Sequence, residues 1–204
     1  MVNYSPYLIG IRHSFSNLAE VEIEVKKVLE LVRKTRQKIV GLEISNYELR
    51  HPENYKSLEI QFWKELSIQL QKMGYSTVQL VPDTYSKLRD EVIRDCRTKG
   101  IDPNMEIYSM MNGLPTNSRI PELLESKTRL MIETGYKGKA GVLTGGRAHI
   151  IGAKQDLNIP TRKCFTTSTH DFQTLFRYST IRSRTPFKPR KLNRRTNTRK
   201  RKPI

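Results

Sequence analysis

Two of the four histidines in this 204-residue chain follow a glycine by three positions, in Gly10-Ile11-Arg12-His13 and Gly146-Arg147-Ala148-His149. With 11 glycines and 4 histidines, chance gives roughly 0.2 such pairs, so the two segments stand out together. A glycine there lets the chain leave a strand sharply, and lets backbone or ligand come close. The histidine then projects over the end of the strand. Between the two segments, Glu43 closes the apolar run Ile39-Val40-Gly41-Leu42. Two imidazoles and a carboxylate are a common ligand set for a divalent transition metal, so His13, Glu43 and His149 are candidate ligands for manganese, cobalt or zinc. Glu43 has a second candidate role, as the base acting on a metal-bound water. Arg12 and Arg147, each beside one of these histidines, are candidates for holding an anionic group of a substrate. Taken singly, each residue has an ordinary structural reading, such as a hydrogen-bonded histidine or a helix-capping carboxylate. Their conjunction points to a site. His51 and His170 receive no role. Ser14, Ser45 and Thr144 lie near the same segments, but no Gly-x-Ser-x-Gly elbow accompanies them. No phosphate-cradling P-loop occurs.

These residues need strands to end at them. Residues 7–10, 38–43, 75–81, 139–143 and 162–166 are short β-rich runs and read as five strands. Between the first two, Leu18, Val21, Val25, Val28, Leu29 and Val32 recur at helical spacing, with Ser16 or Asn17 as cap. Leu58, Phe62, Leu66, Leu70 and Met73 mark a second helix, which Gly74 is placed to end. Pro82 opens a third that runs to Gly100, where Leu88, Val92 and Cys96 lie four apart, so Cys96 reads as a core residue. Residues 101–117 read as loop with a short helix at the centre. A fourth helix spans about 118–134 and stops at Gly135, and a last one covers 171–179. The alternation predicts an α/β fold around a central, mostly parallel sheet of about five strands flanked by helices.

The charge divides the chain. The net charge is +17, but no acidic residue follows Asp171, and residues 172–204 hold 12 of the 37 Lys and Arg. The remainder carries 25 basic and 20 acidic residues, an ordinary balance. The expected organisation is an α/β domain over residues 1–182 and a disordered basic tail over 183–204. Arg190, Lys191, Arg194, Arg195, Arg199, Lys200, Arg201 and Lys202 make that tail a candidate for non-specific nucleic-acid contact through charge neutralisation. No apolar run reaches the roughly 18 residues of a membrane span. The first ten residues do not read as a signal peptide. Two cysteines, Cys96 and Cys164, are too few for a disulfide framework. A cytoplasmic protein with no membrane partner is the expectation.

The segment Leu8-Ile9-Gly10-Ile11-Arg12-His13, a helix, and then Ile39-Val40-Gly41-Leu42-Glu43 resembles the opening of the Tiki/TraB/PrgY family. That family belongs to the superfamily of erythromycin esterase and the haem-binding protein ChaN. Val142-Leu143-Thr144-Gly145-Gly146-Arg147-Ala148-His149 resembles the family's second Gly-x-x-His segment. The resemblance covers roughly residues 7–50 and 120–165. It implies an α/β core with a cleft at the strand ends and, for the Tiki members, metal-dependent peptide hydrolysis with manganese or cobalt. The family carries an arginine on the helix before the second histidine, in a segment like Arg-Asp/Asn-x-x-Met. Keeping register with Met131 puts Lys127 at that position, while Arg129 matches in type two residues further on. Lys127 and Arg129 are therefore both candidates for the catalytic cation. A lysine is a point charge where arginine offers a planar fork, so the exchange is not neutral.

Three functions follow as expectations. The first is a metal-dependent, peptidase-like hydrolase. The second is a non-catalytic ligand-binding or regulatory protein on the same fold, for an anionic ligand or, by analogy with ChaN, haem. The third is a nucleic-acid-associated protein acting through its tail.

Overall fold

The computed structural model describes residues 4–12, 14–51, 57–103, 105–106, 109 and 115–167. The short apolar runs form five strands: β1 (Tyr7–Ile11), β2 (Ile39–Leu42), β3 (Ser76–Gln79), β4 (Val142–Gly146) and β5 (Cys164–Thr166). They pair in one parallel sheet in the order β3-β2-β4-β1-β5. Apart from Tyr7, β1 is buried throughout, and β4 is buried along its whole length. A central parallel strand covered on both faces has this burial.

The α-helices whose bounds lie among the described residues are α1 (Leu18–Thr35), α2 (Asn46–Arg50), α3 (Leu58–Lys72), α4 (Asp83–Thr98), α5 (Ile120–Lys137) and α6 (Arg147–Asp156). Asn17 caps α1 by accepting the Glu20 N–H, and Ser57 caps α3 through Ile60. From β1 to β3 the chain moves one way across the sheet, and from β3 to β5 it moves back. Parallel crossovers are right-handed in nearly all cases, so the reversal sends the two sets of helices to opposite faces. Val21, Val25, Val28 and Val32 of α1 and Phe62, Trp63 and Leu66 of α3 pack with Ile9, Val40 and Leu42. On the other face Val92, Cys96, Met131 and Ile150 pack with Leu8, Leu80 and Leu143.

The parallel sheet agrees with the sequence pattern, several strand ends shift by one or two residues, and β4, α5 and α6 differ more. β4 lies over Val142–Gly146, not residues 139–143, so both glycines that read as a strand exit are inside the ladder. α5 runs through Gly135 to Lys137. A Cβ on Gly135 would stand 2.6 Å from Leu143 Cδ2 and 2.8 Å from the Tyr4 hydroxyl, so this glycine permits close packing instead of ending the helix. α6 occupies a stretch where the pattern marks no element. The helix expected over 171–179, the domain boundary at 182 and the basic tail lie outside the described residues. Among the described residues no helix is long and apolar enough to cross a membrane.

Candidate functional site

β2 and β4 are neighbours, yet the chain leaves β2 toward β3 and leaves β4 toward β5. Where adjacent strands send their connections apart, a crevice opens at the carboxyl ends. Glu43, the first residue past β2, stands at that point. Its side chain is 1% exposed. Oε2 accepts the backbone N–H of Gly146, the N-cap of α6, in a short hydrogen bond. The positive end of a helix stabilises a carboxylate placed there. Oε1 lies 2.5 Å from the ammonium of Lys127 on α5 and 3.6 Å from Nε2 of His149 in the first turn of α6. His149 is itself buried, and its Nδ1 is 2.8 Å from Oγ1 of Thr128, the neighbour of Lys127 on α5. Three elements thus fix one carboxylate.

Glycine makes the room. A Cβ on Gly145 would stand 2.6 Å from Glu43 Oε2 and 2.9 Å from Met131 Cε. Gly10, paired with Gly145 across the sheet, has Arg147 lying over it, with Cγ 3.4 Å from where its Cβ would be. In both cases a side chain, not a turn, occupies the space the glycine leaves.

Glu43, Lys127 and His149 are therefore brought together. Arg129 is not: two residues along a helix is about 200° of rotation, and its side chain is 64% exposed, 3.9 Å from Glu133. Arg12 is also turned outward, 2.9 Å from Glu20. Arg147 packs over β1 with a buried Nε and does not line the cavity described below. His13 and the basic residues of the tail, from Arg190 to Lys202, lie outside the described residues. Ser45 is engaged by Glu48 in a capping box, and Thr144 donates to the Gly41 carbonyl.

Glu43 and Lys127 face a cavity of about 570 Å³ between the N-terminal end of α3 and one face of α4. Ile44, Ile60, Trp63, Val81 and Ile93 form its apolar surface, and Arg89, Arg94 and Arg97 bring cations from α4. Arg89 is held by Glu48 at 2.7 Å and by Asp90. Burial works against its charge, but the carboxylates of Glu48 and Asp90 together outweigh that and leave its pKa raised. Burial also pushes the Tyr85 phenol up; Arg89 opposes the shift, and Glu43 and Glu48 add to it. His149 does not line the cavity and acts on it through Glu43. The α4 arginines, Trp63 and Thr128 are absent from the sequence reading. A charge at i, i+3 on a helix is ordinarily a solvated face, and only the opposite wall on α3 turns this one into a cleft.

The fit to a metal can be judged from these atoms. Glu43 Oε1 and His149 Nε2 are spaced like two ligands on one edge of a coordination sphere. The outer nitrogen of His149 is oriented by Thr128, as a ligating histidine requires. However, the Lys127 ammonium already stands against Oε1, and no group of three His, Cys, Asp or Glu suited to a metal occurs among the described residues. As placed, the described residues do not fit a divalent ion. For haem, the described lining of the cavity has no His, Cys or Met, and the Tyr85 hydroxyl is committed to the Leu123 carbonyl.

No family model, curated protein or solved structure matches the chain.

Proposed function

We propose that the protein is a hydrolase whose active site is the Glu43–Lys127 pair at the carboxyl ends of β2 and β4. The buried carboxylate and the partly buried ammonium, 2.5 Å apart in the wall of a cavity at a topological switch point, are the observation that carries this reading. Glu43 takes a proton from a water, whose oxygen attacks the electrophilic carbon of the substrate. The negative charge that develops on the carbonyl oxygen faces Lys127. Collapse of the intermediate expels the leaving group, which recovers the proton from Glu43. His149, held by Thr128, is a positioning residue behind the carboxylate. The likeness to the Tiki/TraB family supports an amide as the bond cleaved. The test is turnover of a mixed peptide library by the full chain and by Glu43→Gln and Lys127→Met. Each variant is expected to lose at least a hundredfold. Cleavage that survives both would overturn the reading. Metal analysis of the same preparations reads the other route: a stoichiometric ion, lost in His13→Ala and His149→Ala, would put a metal where Lys127 is proposed to act.

A second reading rests on charge: 12 basic residues and no acidic one after position 171 favour association with nucleic acid through the C-terminal segment. Affinity for a random RNA should fall steeply with salt and disappear when residues after Thr185 are removed. Retained affinity in the shortened chain would exclude the segment.

A further inference from the structure

The cavity beside Glu43 is cationic in a specific place. Four of its lining residues are basic, but two are already matched: Lys127 by Glu43, and Arg89 by Glu48 and Asp90. The side chains of Arg94 and Arg97 make no ion pair or hydrogen bond with the described residues. They are three apart on α4, so both guanidinium groups serve one face. Across the cleft, α3 contributes Glu59 as its carboxylate and Ile60 and Trp63 as apolar surface. Ile93, one residue before Arg94, continues that surface on α4. Trp63 is 1% exposed, and its Nε1–H, also buried, has no acceptor among the described residues. An apolar wall carrying an unused donor and ending in two unmatched planar cations suits a ligand with an apolar body and an oxyanion at one end. Guanidinium groups bind carboxylate and phosphate oxygens in a two-pronged fashion, which a point charge does not.

We propose that this cavity is the substrate pocket and that its ligand carries an oxyanion, bound by Arg94 and Arg97, on a body that rests against Ile60, Trp63 and Ile93. The assignment rests on the hydrolase reading for the word substrate, and on the pocket alone for the ligand class. Arg94 and Arg97 are then specificity residues, remote from the reacting bond, and Arg12 and Arg147 have no part in recognition.

Trp63 is the only tryptophan in the chain, so its fluorescence reports occupancy of the pocket without any turnover. The full chain would be titrated with phenyl phosphate, with phenylacetate and with the neutral benzyl alcohol. Saturable quenching is expected with at least one of the two anions. Benzyl alcohol should bind at least tenfold more weakly. The two anionic arms decide between a phosphate and a carboxylate as the preferred group. In Arg94→Gln/Arg97→Gln the favoured anion should lose at least tenfold in affinity; both side chains are exposed, so the fold is expected to survive, and circular dichroism checks that it does. The proposal fails if neither anion binds, if benzyl alcohol binds as well, or if the double variant binds unchanged. Glu43→Gln separates the two readings. If it still binds the anion but no chain shows hydrolysis, only the catalytic reading falls. If hydrolysis holds while the arginine variant binds normally, only this inference falls.

Discussion

At the scale of single residues, the carboxylate of Glu43 is what the rest of the site is arranged around. It receives a backbone donor from Gly146 and an ammonium from Lys127, and the Nε2 of an oriented imidazole lies 3.6 Å away. A buried charge that loses its counter-ion is far more costly than one that never had it, because the remaining charge is left desolvated. Lys127→Met should therefore destabilise the fold by about 3 kcal/mol. The double variant Glu43→Gln/Lys127→Met should recover much of that loss. Urea denaturation of the three chains checks both statements, and additive losses in the double variant would contradict them. That Lys127 and not Arg129 stands against Glu43 shows where sequence reading stops. Glu43 is legible because the apolar run before it ends sharply at a charge. Which of two cations on a helix faces the site depends on the helix's rotation, and that is set by the packing of Met131 and Ile132 against the sheet.

At the scale of elements, the strands and long helices were legible because each carries its own period. Val21, Val25, Val28 and Val32 fall on one face without help from the rest of the fold. The glycines were not legible. Gly135, Gly145 and Gly146 read as places to stop, since glycine is a common C-cap and turn residue. In the structure the ladder with β1 holds β4 extended through Gly146, and Gly135 is a contact point between α5 and the sheet. α6 carries little signal of its own, because it is ten residues long, begins directly after two glycines and contains a third, Gly152. The contact at Gly135 gives a prediction. Alanine is the better helix former by about 1 kcal/mol, yet Gly135→Ala should lower stability by about 1–2 kcal/mol, since the methyl group meets a filled core. Thermal unfolding decides the sign. A gain would mean that Leu143 and Tyr4 move aside freely.

At the scale of the whole molecule, three buried acids respond to alkali together. Burial raises the Cys164 thiol from its ordinary 9.0 to about 11. It also raises the Tyr4 and Tyr85 phenols above their ordinary 10.0. In each case the folded chain holds the proton more tightly than the unfolded chain does. The resulting stability is fully present below about pH 9 and is lost as the pH rises through the folded values. The urea midpoint should be flat from about pH 7 to 9 and fall above that range. Tyr4→Phe, which removes one of the three groups, should make the fall shallower. An unchanged slope in that variant would remove Tyr4 from the account. The same burial keeps Cys164 protonated at neutral pH, so alkylation of the native chain at pH 8 should be slow.

β4 lies between β1 and β2, and this has a consequence for how the chain acquires its shape. The first two strands cannot pair with each other, and the gap between them is filled by a segment about a hundred residues further on. The bond from Thr144 to the Gly41 carbonyl and the one from Gly146 to Glu43 each span 103 residues. A nascent chain leaving the ribosome will have made β1, β2 and β3 with the middle of the sheet still missing. The arrival of β4, with α6 directly behind it, closes the sheet and completes the surroundings of Glu43. Assembly should therefore be late, slow and all-or-none, as expected when long loops must close before any contact rewards them. Ribosome-bound chains halted before residue 142 should remain protease-sensitive, whereas chains that expose residue 167 should resist digestion.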